Sequence, residues 1–167
     1  MILLYKPINI QIWIGFYFRG KQVSDFIGRY LNKVDKKGRV SVPAIWRPKL
    51  IGKDFSGIIV QGSLSEQAID AYPRDYLELL QNKLDSNDPL LEENEYESTV
   101  IFGGAILSFD NEGRVVLSET LRTEIEIMSE ALFVGMGRRF RIWNPKIFDD
   151  YLGRARLYMN KRRKIKS

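Results

Sequence analysis

Short runs of alternating apolar and polar residues, broken by Gly, Asp and Pro, dominate this chain, a pattern of half-buried strands rather than long helices. Ile27 to Val34 reads as a strand, Asp35 to Gly38 as a tight turn, and Arg39 to Val42 as the returning strand. Asp at the first turn position and Gly at the last suit a type I turn or a Gly-bulged hairpin. Pro43 opens a helical turn over Ala44 to Leu50, where its missing N–H leaves no bond unmade. A loop from Lys49 to Gly57 leads into a closing strand pair, Gly57 to Gln61 and Ala68 to Tyr72. Pro73 starts a helix with Tyr76, Leu77, Leu80 and Leu84 at helical spacing. Asp88 and Pro89 fit the cap and first turn of another helix, which runs to about Phe102 and stops at Gly103-Gly104.

The same order then repeats. Ala105 to Phe109 is a strand, Asp110 to Gly113 a turn, and Arg114 to Leu117 the return. Ser118 stands where Pro43 stood and can cap a short helix containing Glu119, Leu121 and Arg122. Glu124 to Ser129 is a strand or connector; Ala131 to Gly135 and Arg139 to Trp143 match the earlier closing pair. Pro145 opens a last helix with Phe148, Tyr151 and Leu152 on one face, and 161–166 reads as a frayed basic tail. The parallel extends to the letters: DKKGRVSVPAIWR from Asp35 and DNEGRVVLSETLR from Asp110 share Asp, Gly, Arg, Val and a closing Arg, 75 residues apart. A mainly β fold with short helices (α+β), built from a duplicated unit, follows. Each half is too small to bury much alone, so the two strand sets should pack together about a pseudo-twofold axis. The expected organisation is an apolar extension at 1–24, a first repeat at 25–76, linker helices at 77–103, a second repeat at 104–148, and a helix end with basic tail at 149–167.

Composition narrows the chemistry. The 167 residues are 44% apolar, enough for a real core, and include neither cysteine nor histidine. Disulfides, thiolate nucleophiles, the familiar zinc sites and the usual neutral-pH base are therefore excluded. Adjacent acids such as Asp149-Asp150 or Glu92-Glu93 do not face one another on a helix, and Gly135-Met-Gly137 lacks a nucleotide-loop pattern. The expectation is no enzyme, no cofactor, no metal and no small-molecule substrate. The segment from Ile8 to Phe18 is apolar and β-prone but short of the ~20 residues of a membrane span, and it lacks a signal-peptide pattern. It is either an additional strand or the product of an upstream start codon; no membrane partner is expected.

The net charge of +5 hides an uneven distribution. Residues 1–24 and 154–167 contain bases and no acid, whereas 25–153 hold 16 bases against all 21 acids. A nucleic-acid partner must therefore be argued from local patches. One is evident: Lys33, Lys36, Lys37 and Arg39 surround Asp35 on the first hairpin. A protruding hairpin can enter the major groove of double-stranded DNA, where Arg pairs with guanine edges and neighbouring Lys hold phosphates. On the second hairpin Arg114 is outweighed by Asp110 and Glu112; Asn111 could read adenine, but this copy is mostly structural or a weak reader. Asp35, Gly38, Asp110 and Gly113 are turn residues, each Asp pairing with the Arg that follows it.

One hairpin offers few contacts, so DNA recognition implies a homo-oligomer presenting several copies. Arg47 and Arg122 are expected to pair with buried acids. Trp46, Tyr72, Phe140 and Trp143 are expected in the core or an interface, and the acidic stretch Glu92 to Glu97 on a solvated face. The basic tail adds nonspecific DNA affinity. The alternative function is a non-enzymatic oligomeric interaction module, such as an antitoxin-like adaptor.

The doubled text resembles the MraZ family of bacterial transcriptional regulators, which carries two AbrB-like halves. The resemblance rests on Phe26-Ile-Gly-Arg-Tyr30, Val34 to Pro43, Arg47, Tyr72-Pro73, Gly103-Gly-Ala105, Asp110 to Arg114, Arg122 and Phe140 to Trp143, and covers about Ser24 to Leu152. It implies swapped-hairpin β halves, a cytoplasmic, nucleoid-associated DNA-binding protein, and assembly into a ring. It also implies repression of the division and cell-wall gene cluster and of the regulator's own promoter, through short promoter repeats. The family's DxxxR pattern falls on Asp35 and Arg39 and on Asp110 and Arg114, and its DNA-contacting role carries over most directly to Arg39 and its lysine neighbours. Three features depart from the family: the extra residues 1–24, an acidic rather than arginine-bearing linker helix, and the basic tail.

Overall fold

The computed structural model describes residues 26–85 and 92–166; the apolar extension and the Asp88-Pro89 cap lie outside them. Among the described residues, eight strands and four helices follow the expected order. They are β1 (Arg29–Lys33), β2 (Arg39–Ser41), β3 (Gly57–Gly62), β4 (Ile69–Tyr72), α1 (Arg74–Asp85), α2 (Glu92–Phe102), β5 (Ala105–Ser108), β6 (Arg114–Val116), α3 (Glu119–Glu124), β7 (Glu130–Gly135), β8 (Phe140–Trp143) and α4 (Pro145–Lys166). The helical turn after Pro43 is a 3-10 segment, Arg47–Lys49. Ser118 caps α3 as its side-chain chemistry suggests, its Oγ accepting from the Leu121 N–H at 3.2 Å.

Six strands form one antiparallel sheet in the order β1-β7-β8-β4-β3-β5. Exchanging β1–β4 with β5–β8 reverses this order and leaves it otherwise unchanged. Each outer strand is thus supplied across the linker: β1 pairs with β7, and β5 with β3. The remaining strands, β2 and β6, form a separate two-stranded antiparallel ribbon in which Val40 faces Val115.

Strict alternation along the sheet divides its two faces. Ile58, Val60, Ile69, Phe133, Phe140 and Ile142 point to one side and join Val40, Val42, Val115 and Leu117 of the ribbon in the main core. Trp46 plugs this core between Phe26 and Phe140, with ring centroids 5.5 and 5.0 Å away, and its indole N–H reaches the Ile27 carbonyl at 3.2 Å. Trp46, Tyr72, Phe140 and Trp143 are all buried, as expected. The opposite face takes the helices. Phe148 and Tyr151 of α4 stack on Trp143 at 5.6 and 4.8 Å, while α1 and α2 cover the β3–β4 half.

One expectation fails here: 161–166 is not a frayed tail but the last part of α4. No Pro or Gly follows Gly153, and the Arg, Lys, Leu and Met residues beyond it are good helix formers. A Cβ at Gly153 would meet nothing within 4 Å, so no packing contact demands glycine at that turn, and the helix runs through it.

Candidate nucleic-acid interface

Both Asp-x-x-Gly-Arg turns close by the same local bonds. Asp35 Oδ1 accepts from the Lys37 and Arg39 N–H groups, each at 2.9 Å, and Oδ2 takes the Arg39 Nε–H at 2.6 Å. Asp110 does the same with Glu112 and Arg114, at 2.9, 2.9 and 2.7 Å. Gly38 and Gly113 have φ of +80° and +72°, the left-handed region where a side chain costs energy. The Arg114 backbone N–H, then its side chain, hold the Asp110 carboxyl down at about 2; the Arg39 backbone N–H likewise lowers Asp35.

The ribbon register sets the two turns against each other. Gly38 O accepts from Leu117 N at 2.9 Å, and Gly113 O from Val42 N at 3.2 Å, so the turns cap opposite ends of the ribbon. The four residue steps from Gly38 to Val42 separate them by about 13 Å along the strands. With Val40 and Val115 facing the core, Arg39, Ser41, Arg114 and Val116 lie on the outer face. Arg39 stands opposite Val116 and Ser41 opposite Arg114, which makes the two arginines diagonal neighbours at about 7–8 Å.

Electrostatically the copies differ. Arg114 is held by Asp110 and also by Glu112, its NH1 lying 2.8 Å from Glu112 Oε2, and these acids together with Asp35 raise its pKa. Arg39 pairs with Asp35, while Lys36 and Lys37 are exposed beside it. Asn111 is exposed at the second turn. Lys33 is exposed on β1, directly across from Glu130 of β7, so an acid offsets part of its charge.

Arg47 and Arg122 differ from expectation. Each donates its Nε–H to a backbone carbonyl five residues earlier, Val42 at 2.8 Å and Leu117 at 3.2 Å, instead of to an acid. Their guanidinium groups also lie against the opposite turn: a Cβ at Gly113 would come within 2.6 Å of Arg47, and one at Gly38 within 3.1 Å of Arg122 Nε. The carbonyls are freed because each chain leaves its short strand just before its helical turn. Period-two alternation from Arg39 and Arg114 also puts Ser41 and Val116 on this outer face.

A family model described as "MraZ protein, putative antitoxin-like" matches residues 101–164. "Transcriptional regulator MraZ" of Rickettsia canadensis (strain McKiel) is 43% identical over 131 residues, covering 78% of this chain and 88% of its own length. The protein of the same name from Rickettsia bellii (strain OSU 85-389) is 41% identical over 140 residues, covering 83% and 93%. That from Pelagibacter ubique (strain HTCC1062) is 40% identical over 136 residues, covering 81% and 88%. On identity and coverage together, the chain belongs to the MraZ family of transcriptional regulators, which is not a family of enzymes.

Proposed function

We propose that this chain is a sequence-specific DNA-binding transcriptional regulator that acts as an oligomer. In this reading, 25–76 and 104–148 are duplicated AbrB-like repeats joined by the helices of 77–103. The observation that carries it is the outer face of the β2–β6 ribbon, where Arg39 and Arg114 lie diagonally and the first turn adds Lys36 and Lys37. A two-stranded ribbon fits the ~12 Å major groove, and an arginine can read guanine there while lysines hold phosphates. The charge balance assigns base reading to Arg39 and leaves Arg114 and Asn111 a lesser part. Lys33 serves as a flanking phosphate contact.

Several features support assembly. β1 and β5 end the described sheet, and Leu31 and Ile106 on them are exposed. Such edges invite pairing between copies, and a head-to-tail contact closes into a ring when the rotation permits. The family resemblance supplies the rest of the proposal: cytoplasmic, nucleoid-associated action, and repression of its own promoter and of the division and cell-wall gene cluster through short promoter repeats. Footprinting of the full chain on its own upstream DNA at two salt concentrations tests this. Protection of repeated short sites is expected, lost with Arg39→Ala while assembly size stays constant. Undiminished protection by that variant would sink the assignment.

The antitoxin-like description of the matched family and the acidic body favour a second reading, an oligomeric adaptor for a protein partner. It requires recovery of a defined partner in pull-down together with no preferred DNA site.

A further inference from the structure

The helix-covered face of the sheet carries a polar site that DNA binding does not use. In register, Gln61 of β3 faces Asp70 of β4, and Asp70 faces Arg141 of β8. This places a polar row across three central strands. Asp70 and Arg141 are only 4% and 6% exposed. Arg141 Nε donates to Asp70 Oδ1 at 2.5 Å and its NH2 to Ser65 Oγ at 3.3 Å. Arg139 NH1 approaches the same carboxylate at 3.5 Å. Among the described residues, two guanidinium groups thus share one acid, and Arg139, whose side chain is 32% exposed, is the more loosely held of the two.

A cavity of about 260 Å3 opens beside this row, under α1 and α2. Gln61 Oε1 and the Tyr72 hydroxyl have no hydrogen-bond partner, although their side chains line the cavity and are 7% and 1% exposed. A buried polar atom left unpaired is costly and calls for an explanation. Burial, then the neighbouring Asp70 carboxylate, push the Tyr72 hydroxyl above the usual phenol range, so it stays a protonated donor. Leu80 and Leu84 of α1 and Ile101 of α2 form the apolar wall.

We propose that this cavity binds a small aliphatic carboxylic acid bearing an α-hydroxyl or α-amino group. The carboxylate faces Arg139 and takes the Tyr72 O–H, the α-substituent donates to Gln61 Oε1, and the aliphatic chain lies on the leucine and isoleucine wall. The volume falls below the ~300 Å3 at which drug-sized pockets begin, which suits a ligand of this size. Water alone would answer the two orphaned atoms but not the apolar wall.

Calorimetric titration of the full chain with 2-hydroxy-4-methylpentanoate and with leucine tests the proposal, with acetate as the anion-only control. No DNA is present, so the outcome is separate from the promoter assignment. Binding of the hydroxy acid or leucine in the millimolar range or tighter is expected, with none for acetate. Tyr72→Phe and Gln61→Leu should each weaken it about tenfold or more, while ligand-free Tm holds or rises because an orphaned polar atom is removed. Binding by neither acid, or binding that both variants leave intact, overturns the proposal, as does a loss of ligand-free stability in the variants without wild-type binding, the result for a water-filled core. If Gln61→Leu fails to fold, Tyr72→Phe, which removes a single oxygen, decides the matter.

Discussion

The guanidinium of Arg47 lies against Gly113, so that a helical turn before the linker supports a β-turn after it. Arg122 and Gly38 repeat the arrangement in the other direction. The two turns are therefore held in trans as well as by their own Asp carboxylates. The cost of adding a side chain should differ between them. At Gly113 a methyl group meets a guanidinium that can move; at Gly38 it meets the backbone carbonyl of Leu117, the residue after β6, whose own N–H is bonded to Gly38 O. Gly113→Ala should cost about 1–2 kcal/mol from its left-handed backbone, and Gly38→Ala more. Urea-unfolding midpoints of the two variants give the comparison.

Asp110 makes the second turn acid-sensitive. Its folded pKa of about 2 lies below the ordinary 3.8. The unfolded chain therefore takes up the proton first, and the stabilisation is present above pH 3.8 and lost as pH falls toward 2. Asp110→Asn should flatten the fall in stability across that window, measured by thermal unfolding in a pH series. A variant as acid-sensitive as the wild type would contradict the assignment.

The unequal hairpins should separate in their salt response. If Lys36 and Lys37 hold phosphates, each alanine variant reduces the slope of log K against log salt by about 0.9 and weakens all DNA sequences alike. Arg39→Ala should instead relax discrimination at particular bases by about 1–3 kcal/mol per base pair, and Arg114→Ala should do less. Fluorescence anisotropy with operator and scrambled duplexes over a salt series distinguishes the two effects.

Asp70 and Arg141 form a buried pair, and removing one partner leaves an uncompensated charge. Asp70→Ala should destabilise the chain by about 3–5 kcal/mol, whereas Asp70→Leu combined with Arg141→Leu should recover much of the loss. Chemical denaturation of the single and double variants checks both.

The two turns were legible because the bonds that close each one locally run between residues at most four apart, Asp35 to Arg39 and Asp110 to Arg114, with a glycine where the backbone must turn left-handed. The strands flanking them were legible from alternation, and the prolines and Ser118 marked the helix starts. The fate of Arg47 was not, since an arginine on a helical turn looks the same whether its partner is an acid or a carbonyl. The frayed reading of 161–166 erred for a related reason: a run of like charge suggests a loose end, but helix propensity in this stretch is high.

The sequence by itself determined the local units: the paired turns, the alternating strands, the basic first hairpin, and the absence of cysteine and histidine. Tertiary structure alone decided which strands meet. Pairing β2 with β6 brings Arg39 and Arg114 onto one face, and the β3–β4–β8 register brings Gln61, Asp70 and Arg141 into one buried row. These residues lie up to 80 positions apart in the chain. Their partners are chosen by how two apolar strand sets bury each other, a global packing choice that local side-chain preferences do not encode.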